Sequence, residues 1–139
     1  AFQIGAEMSS LRYLSAEWIS AMSAGVSADS TLSALASQHT VGLTQVVTGT
    51  PFGDVTYHLQ VRDGAVSFAS GSAPAEDVRF TETYDTAVGI ATEQINAQEA
   101  FIKGLIVFTG DHQKLIDAGD VFAALDPIFT AVRALTVFN

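Results

Sequence analysis

The sequence predicts a mixed helix-and-strand domain of the α+β kind. Apolar residues recur at the helical period of about 3.6 near both ends. The middle is instead rich in β-branched and aromatic side chains, in "VGLTQVVTGT", "DVTYHLQVRDG" and "AVSFASGS", which is strand composition punctuated by Gly, Pro and Asp. At 139 residues the chain has the length of one ordinary domain, so a single core across 1–139 is expected.

The first periodic segment runs from Glu7 to Met22, where Met8, Leu11, Leu14, Trp18, Ile19 and Met22 share one helical face. It is expected to end near Gly25. A second, shorter helix follows, with Ser27 or Asp29 placed to cap it and Leu32 and Leu35 as its apolar stripe. In the second β-like stretch Val55, Tyr57, Leu59 and Val61 alternate with Thr56, His58, Gln60 and Arg62, so one face is expected buried and the other wet. Asp63-Gly64 suits a two-residue turn with positive φ at both positions, joining this strand to the next as a hairpin.

Another alternating strand is read in "DVRFTETYD", with Val78 and Phe80 on one face. Helical spacing then resumes through Ala87, Val88, Ile90 and Ile95. A short helix "AQEAFIK" precedes an apolar strand, Leu105 to Phe108, and Asp111 stands where the cap of the helix "HQKLIDAG" belongs. In the last segment Val121, Phe122, Leu125, Ile128, Phe129, Val132 and Leu135 spread over about 140° of a helix, wider than one packing contact needs. Asp126-Pro127 is expected to kink or split that helix, because proline disfavours helical backbone at the residue before it.

Composition excludes several kinds of function. Fifteen acidic against six basic side chains give a formal charge of −9, a field that repels phosphate backbones and anionic lipid head groups; no nucleic-acid partner is expected. Without cysteine there is no disulfide, thiolate chemistry or Cys-based zinc site. No apolar run approaches the ~20 residues that span a bilayer, so stable membrane insertion is not expected, and the chain reads as a soluble, cytoplasmic protein of a bacterium. Only 15% of residues are charged, against about a quarter in ordinary domains, leaving an apolar surplus that can line a cavity or an interface.

Chemistry-bearing motifs are few. Gly110 is followed by Asp111, whose carboxylate would repel a phosphate where a P-loop has Lys and Ser/Thr. Neither G-x-G-x-x-G nor G-x-S-x-G occurs. His39, His58 and His112 have no metal-binding spacing and read as surface residues, and the acidic pairs Glu76-Asp77 and Glu82/Asp85 read as solvated charge without EF-hand spacing. Neither metal nor cofactor is expected.

One stretch is more specific. "INAQEAFIKGLIVFTGD" resembles a signature of the sterol carrier protein 2 family of lipid-binding domains: a short helix carrying Ala-Phe, a glycine, an alternating strand, then Gly followed by Asn or Asp. Asn96, Ala100, Phe101, Gly104, Gly110 and Asp111 fit it. Upstream, "TYHLQVRDG" resembles the same family's second strand and turn, at a compatible spacing, and the resemblance covers about Val55 to Leu125. It implies an α/β fold, more strictly α+β. A five-stranded mixed sheet with a β-meander and a crossover is covered on one face by helices over a hydrophobic tunnel. It further implies cofactor-free carriage of a sterol, fatty acid, acyl-CoA or phospholipid.

By position in that pattern, Ile106 and Phe108 take the strand's inward face, Phe101 lies above it on the short helix, and Phe80 lies on the companion strand. Leu115, Ile116, Phe122, Leu125 and Phe129 are candidates for the opposite wall by their own apolar spacing. Gln98 is a candidate for hydrogen-bonding a head group at the mouth. Three departures stand out: Leu105 and Val107 occupy outward strand positions where the family often has lysine, Glu93 replaces a usual glycine between two helices, and the chain is acidic, which opposes collision with an anionic membrane.

Two other readings compete. A small α+β cone-fold enzyme of the ketosteroid isomerase-like type would act on an apolar substrate with Tyr57, Tyr84 and Asp85. A ligand-free interaction module would pack Leu105, Val107 and the C-terminal helix against a partner, or against a second copy as a homodimer.

Overall fold

A computed structural model describes residues 11–138. Five strands form the main sheet: β2 (Val41–Thr50), β3 (Gly53–Arg62), β4 (Ala65–Ser70), β5 (Val78–Thr83) and β6 (Ile106–Gly110). Their spatial order is β4-β3-β2-β5-β6. β2 and β5 run parallel and every other neighbouring pair runs antiparallel, so a hairpin meander and one crossover build a mixed sheet. A separate two-residue strand, β1 (Leu11–Arg12), pairs in parallel with β7 (Thr136–Val137) and ties the two ends of the described chain together.

Six helices complete the fold: α1 (Ala16–Ala28), α2 (Ser30–Ala36), α3 (Tyr84–Ala91), α4 (Ala97–Ile102), α5 (His112–Asp117) and α6 (Gly119–Arg133). Short polar side chains start most of them by accepting hydrogen bonds from otherwise free N–H groups. Ser15 caps α1, Asp29 caps α2, Thr83 caps α3, Asn96 caps α4 and Asp111 caps α5. α1 packs on β4 and on α6. Trp18, Met22, Val26, Leu32, Leu59, Val61, Phe68, Val121 and Leu125 join in the core. Tyr13, Trp18, Tyr57 and Phe68 run through it as edge-on and tilted ring contacts, with centroids 5.2 to 5.5 Å apart.

The first helix differs from its sequence reading. Leu11 and Leu14 satisfy the helical period, yet Leu11–Arg12 is strand and Leu14 turns the chain with φ +68°. The N–H of Leu11 and that of Tyr13 donate to the carbonyls of Leu135 and Val137 at 2.9 and 3.0 Å. Partners at the far end of the chain thus override a local period. Glu7 and Met8 lie outside the described residues. At the other end α1 passes through Gly25 to Ala28.

The C-terminal helix is not split at Asp126-Pro127. α6 is continuous with Pro127 inside it, and Ala123, whose carbonyl loses its i+4 donor there, is exposed like Pro127 itself. Water can satisfy that carbonyl, which relieves the hydrogen-bond part of proline's penalty.

Register fixes the two sheet faces. Val41, Leu43, Gln45 and Val47 stand opposite Val61, Leu59, Tyr57 and Val55. Val78, Phe80 and Glu82 continue the same inner face on β5, and Phe108 and Ile106 continue it on β6. The outer face carries Thr44, His58 and Gln60, and it is not wet. Residues 71–77, the crossover between β4 and β5, lie across it. The Ala73 N–H donates to Thr44 Oγ1 and the Ala75 N–H to Gln60 Oε1, both at 3.0 Å. His58 Nδ1 is 3.0 Å from the Gly71 carbonyl oxygen, and His58 is only 7% exposed. The polar side of the strand is therefore solvated by backbone instead of by water.

Candidate functional site

Helices α3, α5 and α6 do not fill the space above the inner face. Two cavities of about 260 Å³ each remain. The first is walled by Tyr13, Trp18 and Tyr57, by Glu82 of β5, by Ala87, Ile90 and Ala91 of α3, and by Asp126, Phe129 and Arg133 of α6. The second lies over the centre of the sheet between Leu43, Gln45, Leu59, Phe68 and Phe80 on one side and Leu115, Phe122, Leu125 and Phe129 on the other. Tyr57 and Phe129 belong to both, so these two rings are the partition.

Of the residues expected at a ligand wall, Phe80, Leu115, Phe122, Leu125 and Phe129 line the second cavity. Ile106 and Phe108 share the inner face with Phe80, and the Phe108 ring lies 5.3 Å from that of Phe80 and 6.3 Å from that of Phe101. Phe101, Ile106 and Phe108 line neither of these two cavities. Ile116 is 69% exposed, Gln98, expected at a mouth, is also exposed, and neither lines the two cavities. α5 is a short helix that turns Leu115 inward and Ile116 out.

Glu82 reads from the sequence as solvated charge, and the structure reverses that. It is the residue after next from Phe80 on the same strand face, so alternation alone turns it inward. Its Oε1 accepts from Gln45 Nε2 at 2.5 Å, while its buried Oε2 has no partner among the described residues. Burial pushes the carboxyl up to about 7, against a smaller opposing effect of the Gln45 hydrogen bond. Gln45 lines the second cavity and Glu82 the first, so this polar pair also spans the partition. The phenols of Tyr13 and Tyr57 are pushed upward by burial first and by neighbouring charge and phenols second, and stay neutral.

The tyrosines and the aspartate expected of an isomerase-like site do not share either of the two cavities. Tyr57 is buried between the cavities, Tyr84 lies beside Tyr13 with centroids 6.2 Å apart, and Asp85 is exposed and lines neither cavity. Among the described residues no group of His, Asp and Glu could hold a metal ion, and no helix is long and apolar enough to cross a membrane.

The strand and helix order and the sheet topology define an α+β fold in which a five-stranded mixed sheet is covered on one face by helices. The SCP-2 sterol transfer family matches residues 40–123, and the chain belongs to that family. A conserved hypothetical protein of Thermus thermophilus, described as possibly a sterol carrier protein, is similar over 91% of both chains with a TM-score of 0.62 and 15% identity. Sterol carrier protein 2 of Yarrowia lipolytica in its apo form is similar at 14% identity, covering 83% of this chain and 88% of that one, with a TM-score of 0.59. An inverting sec-alkylsulfatase of a Pseudomonas species is similar at 23% identity and a TM-score of 0.50 over 80% of this chain, which is 16% of the sulfatase. At these identities the likeness is one of fold. No curated protein matches the sequence.

Two features of the family pattern acquire a geometry. Gly104 ends α4 with φ +79°, and Gly110 has φ +119° with Asp77 so close that a Cβ would stand 2.2 Å from its carbonyl oxygen. Glu93, standing where the family usually has glycine, adopts φ +64°. The turn keeps its shape and the side chain accepts the strain.

Proposed function

We propose that this domain binds the aliphatic part of a hydrophobic ligand between the inner sheet face and α6, and carries it without making or breaking a bond. The observation that supports this most directly is the pair of cavities partitioned by Tyr57 and Phe129. Each is slightly below the ~300 Å³ at which ligand pockets of ordinary size begin. A rotation of the Phe129 ring, which is 36% exposed, would join them into one chamber of sufficient size. Burial of an acyl chain then contributes about 0.8 kcal/mol per methylene. A sterol, fatty acid, acyl-CoA or phospholipid all meet that apolar requirement, and cytoplasmic carriage without a cofactor suits it. Phe101, Ile106 and Phe108 form the rim of the chamber in this reading, and Phe80, Leu115, Phe122, Leu125 and Phe129 its walls; Gln98 and Ile116 have no part in it. A homodimer through Leu105 and Val107 has only their exposure, 45% and 56%, in its favour.

Saturation of the protein with the neutral fluorophore N-phenyl-1-naphthylamine tests the reading. One-site binding is expected, weakened about tenfold when either cavity is filled, by Ala91→Leu in the first or Leu43→Phe in the second. Unchanged binding in both folded variants would overturn it.

A further inference from the structure

The inner face carries a single polar pair. Across β2, β3 and β5 its side chains are apolar or aromatic except Gln45 and Glu82, and these two are bonded to each other. Gln45 donates one N–H of its amide to that bond. Glu82, which lines the first cavity, keeps one buried oxygen with no donor among the described residues. A buried acceptor left unmatched costs more than a matched one contributes, and a ligand that brings a donor to it recovers that cost. We propose that the first cavity receives the head of an amphiphile that donates hydrogen bonds and carries no negative charge, a long-chain alcohol or amine, with Glu82 as its acceptor. This rests on the reading above that the cavities take an aliphatic chain.

The surroundings of Glu82 support the same polarity. Facing the cavity are Tyr13 ahead of α1, Tyr57 of β3, and Asp126 and Arg133 of α6. Tyr84 at the start of α3 stands next to Tyr13, and Gln45 of β2 contacts Glu82 itself. The phenols of Tyr13 and Tyr57 are neutral. Arg133 is the cation that could welcome a carboxylate, but its guanidinium is held by Glu93 at 3.3 Å and donates to the Ala91 carbonyl at 3.1 Å. Asp126 adds a second acid to the same wall. A fatty carboxylate entering head-first would set its charge against Glu82, and two carboxylates sharing one site cannot both stay ionised. Because burial raises the Glu82 carboxyl to about 7, that exclusion is strongest above neutral pH. Below it, protonated Glu82 can donate to the incoming carboxylate.

Displacement of N-phenyl-1-naphthylamine by dodecanol, dodecylamine and dodecanoate at pH 8 and pH 6 tests this on the whole chain. At pH 8 dodecanol or dodecylamine is expected to bind about tenfold more tightly than dodecanoate. The stronger of the two identifies a hydroxyl or an ammonium head. At pH 6 dodecanoate is expected to gain about tenfold and dodecylamine to lose. Glu82→Gln removes both pH effects and levels amine with carboxylate, while dodecanol, which the amide oxygen can still accept from, changes little. Equal binding of all three at pH 8, or a pH response that survives Glu82→Gln, would overturn the proposal while leaving chain binding intact. Failure of every probe to bind would instead remove the reading on which it rests. The pH series on the unsubstituted protein carries the test even if the variant folds poorly.

Discussion

On the outer face of the sheet, Thr44, His58 and Gln60 are buried beneath residues 71–77 and each meets a backbone group of that segment. On the inner face the side chains are mostly apolar, yet α3, α5 and α6 stand off from them far enough to leave two cavities and one buried oxygen without a donor among the described residues. A polar surface packed with its hydrogen bonds closed is a structural seam. An apolar surface left partly unfilled is where the proposed function puts a ligand, because cavities lose dispersion contacts that an occupant would restore. The chemistry of the two faces is therefore opposite to the usual expectation that the apolar side is the well-packed one.

The largest expected effect breaks the outer seam. A Cβ on Gly42 would stand 2.0 Å from the Ala75 carbonyl oxygen, 2.7 Å from its carbon and 2.8 Å from Gln60 Oε1, the closest of these being backbone that cannot swing aside. Gly42→Ala should cost about 3 kcal/mol in urea unfolding. A loss under ~1 kcal/mol would mean that the 71–77 segment lifts away easily and that the two faces are alike.

On the inner face the corresponding perturbation is electrostatic. Glu82 has its carboxyl raised in the fold to about 7 from an ordinary 4.5, so between those values the folded protein holds a proton that the unfolded chain has released. Stability should accordingly fall as pH rises through that window, and be lowest above it. Water reaching the partly open site reduces the magnitude to about 2 kcal/mol. Glu82→Gln should flatten that slope and raise the melting temperature at pH 8. A slope unchanged by the substitution would assign it to other groups.

Thr44→Val sharpens the same contrast at lower cost. It keeps the shape but removes the acceptor of the Ala73 N–H, and should cost about 1.5 kcal/mol. It should also leave N-phenyl-1-naphthylamine binding unaltered, since Thr44 faces away from both cavities. The smallest effect is expected at Glu93, whose φ of +64° strains any residue with a side chain. Glu93→Gly should stabilise by about 0.5 kcal/mol once the flexibility of glycine and the loss of the Arg133 ion pair are set against that relief. Destabilisation in thermal melts would show that the ion pair outweighs the strain.

Much of this is readable in the sequence where the determinants are local. The five strands, the Asp63-Gly64 hairpin with φ of +55° and +76°, and the caps Asp29 and Asp111 each depend on a few adjacent residues. Alternation places Phe80, Ile106 and Phe108 on one face, and registration of β5 with β6 puts them there. Ile116, expected at the wall, is exposed instead, because a six-residue helix turns too few side chains inward to form a long stripe. Glu82 escapes a reading that pairs it with Asp85 as loop charge, although Val78, Phe80 and Glu82 already make a period-two series.

By itself the sequence determined the five strands of the main sheet and most of the helices, which side of each of those strands is apolar, and the family pattern around Gly104, Gly110 and Asp111, since these follow from backbone preference and spacing. Tertiary structure decided what covers each face. Leu11 became strand because Leu135 and Val137 offered carbonyls to it and to Tyr13, His58 became buried because a crossover passes over it, and Glu82 became a buried, half-satisfied acceptor because β2, β3, α3 and α6 converge on it. Burial and hydrogen-bond satisfaction are properties of neighbours distant in the chain, and no local pattern encodes which neighbour arrives.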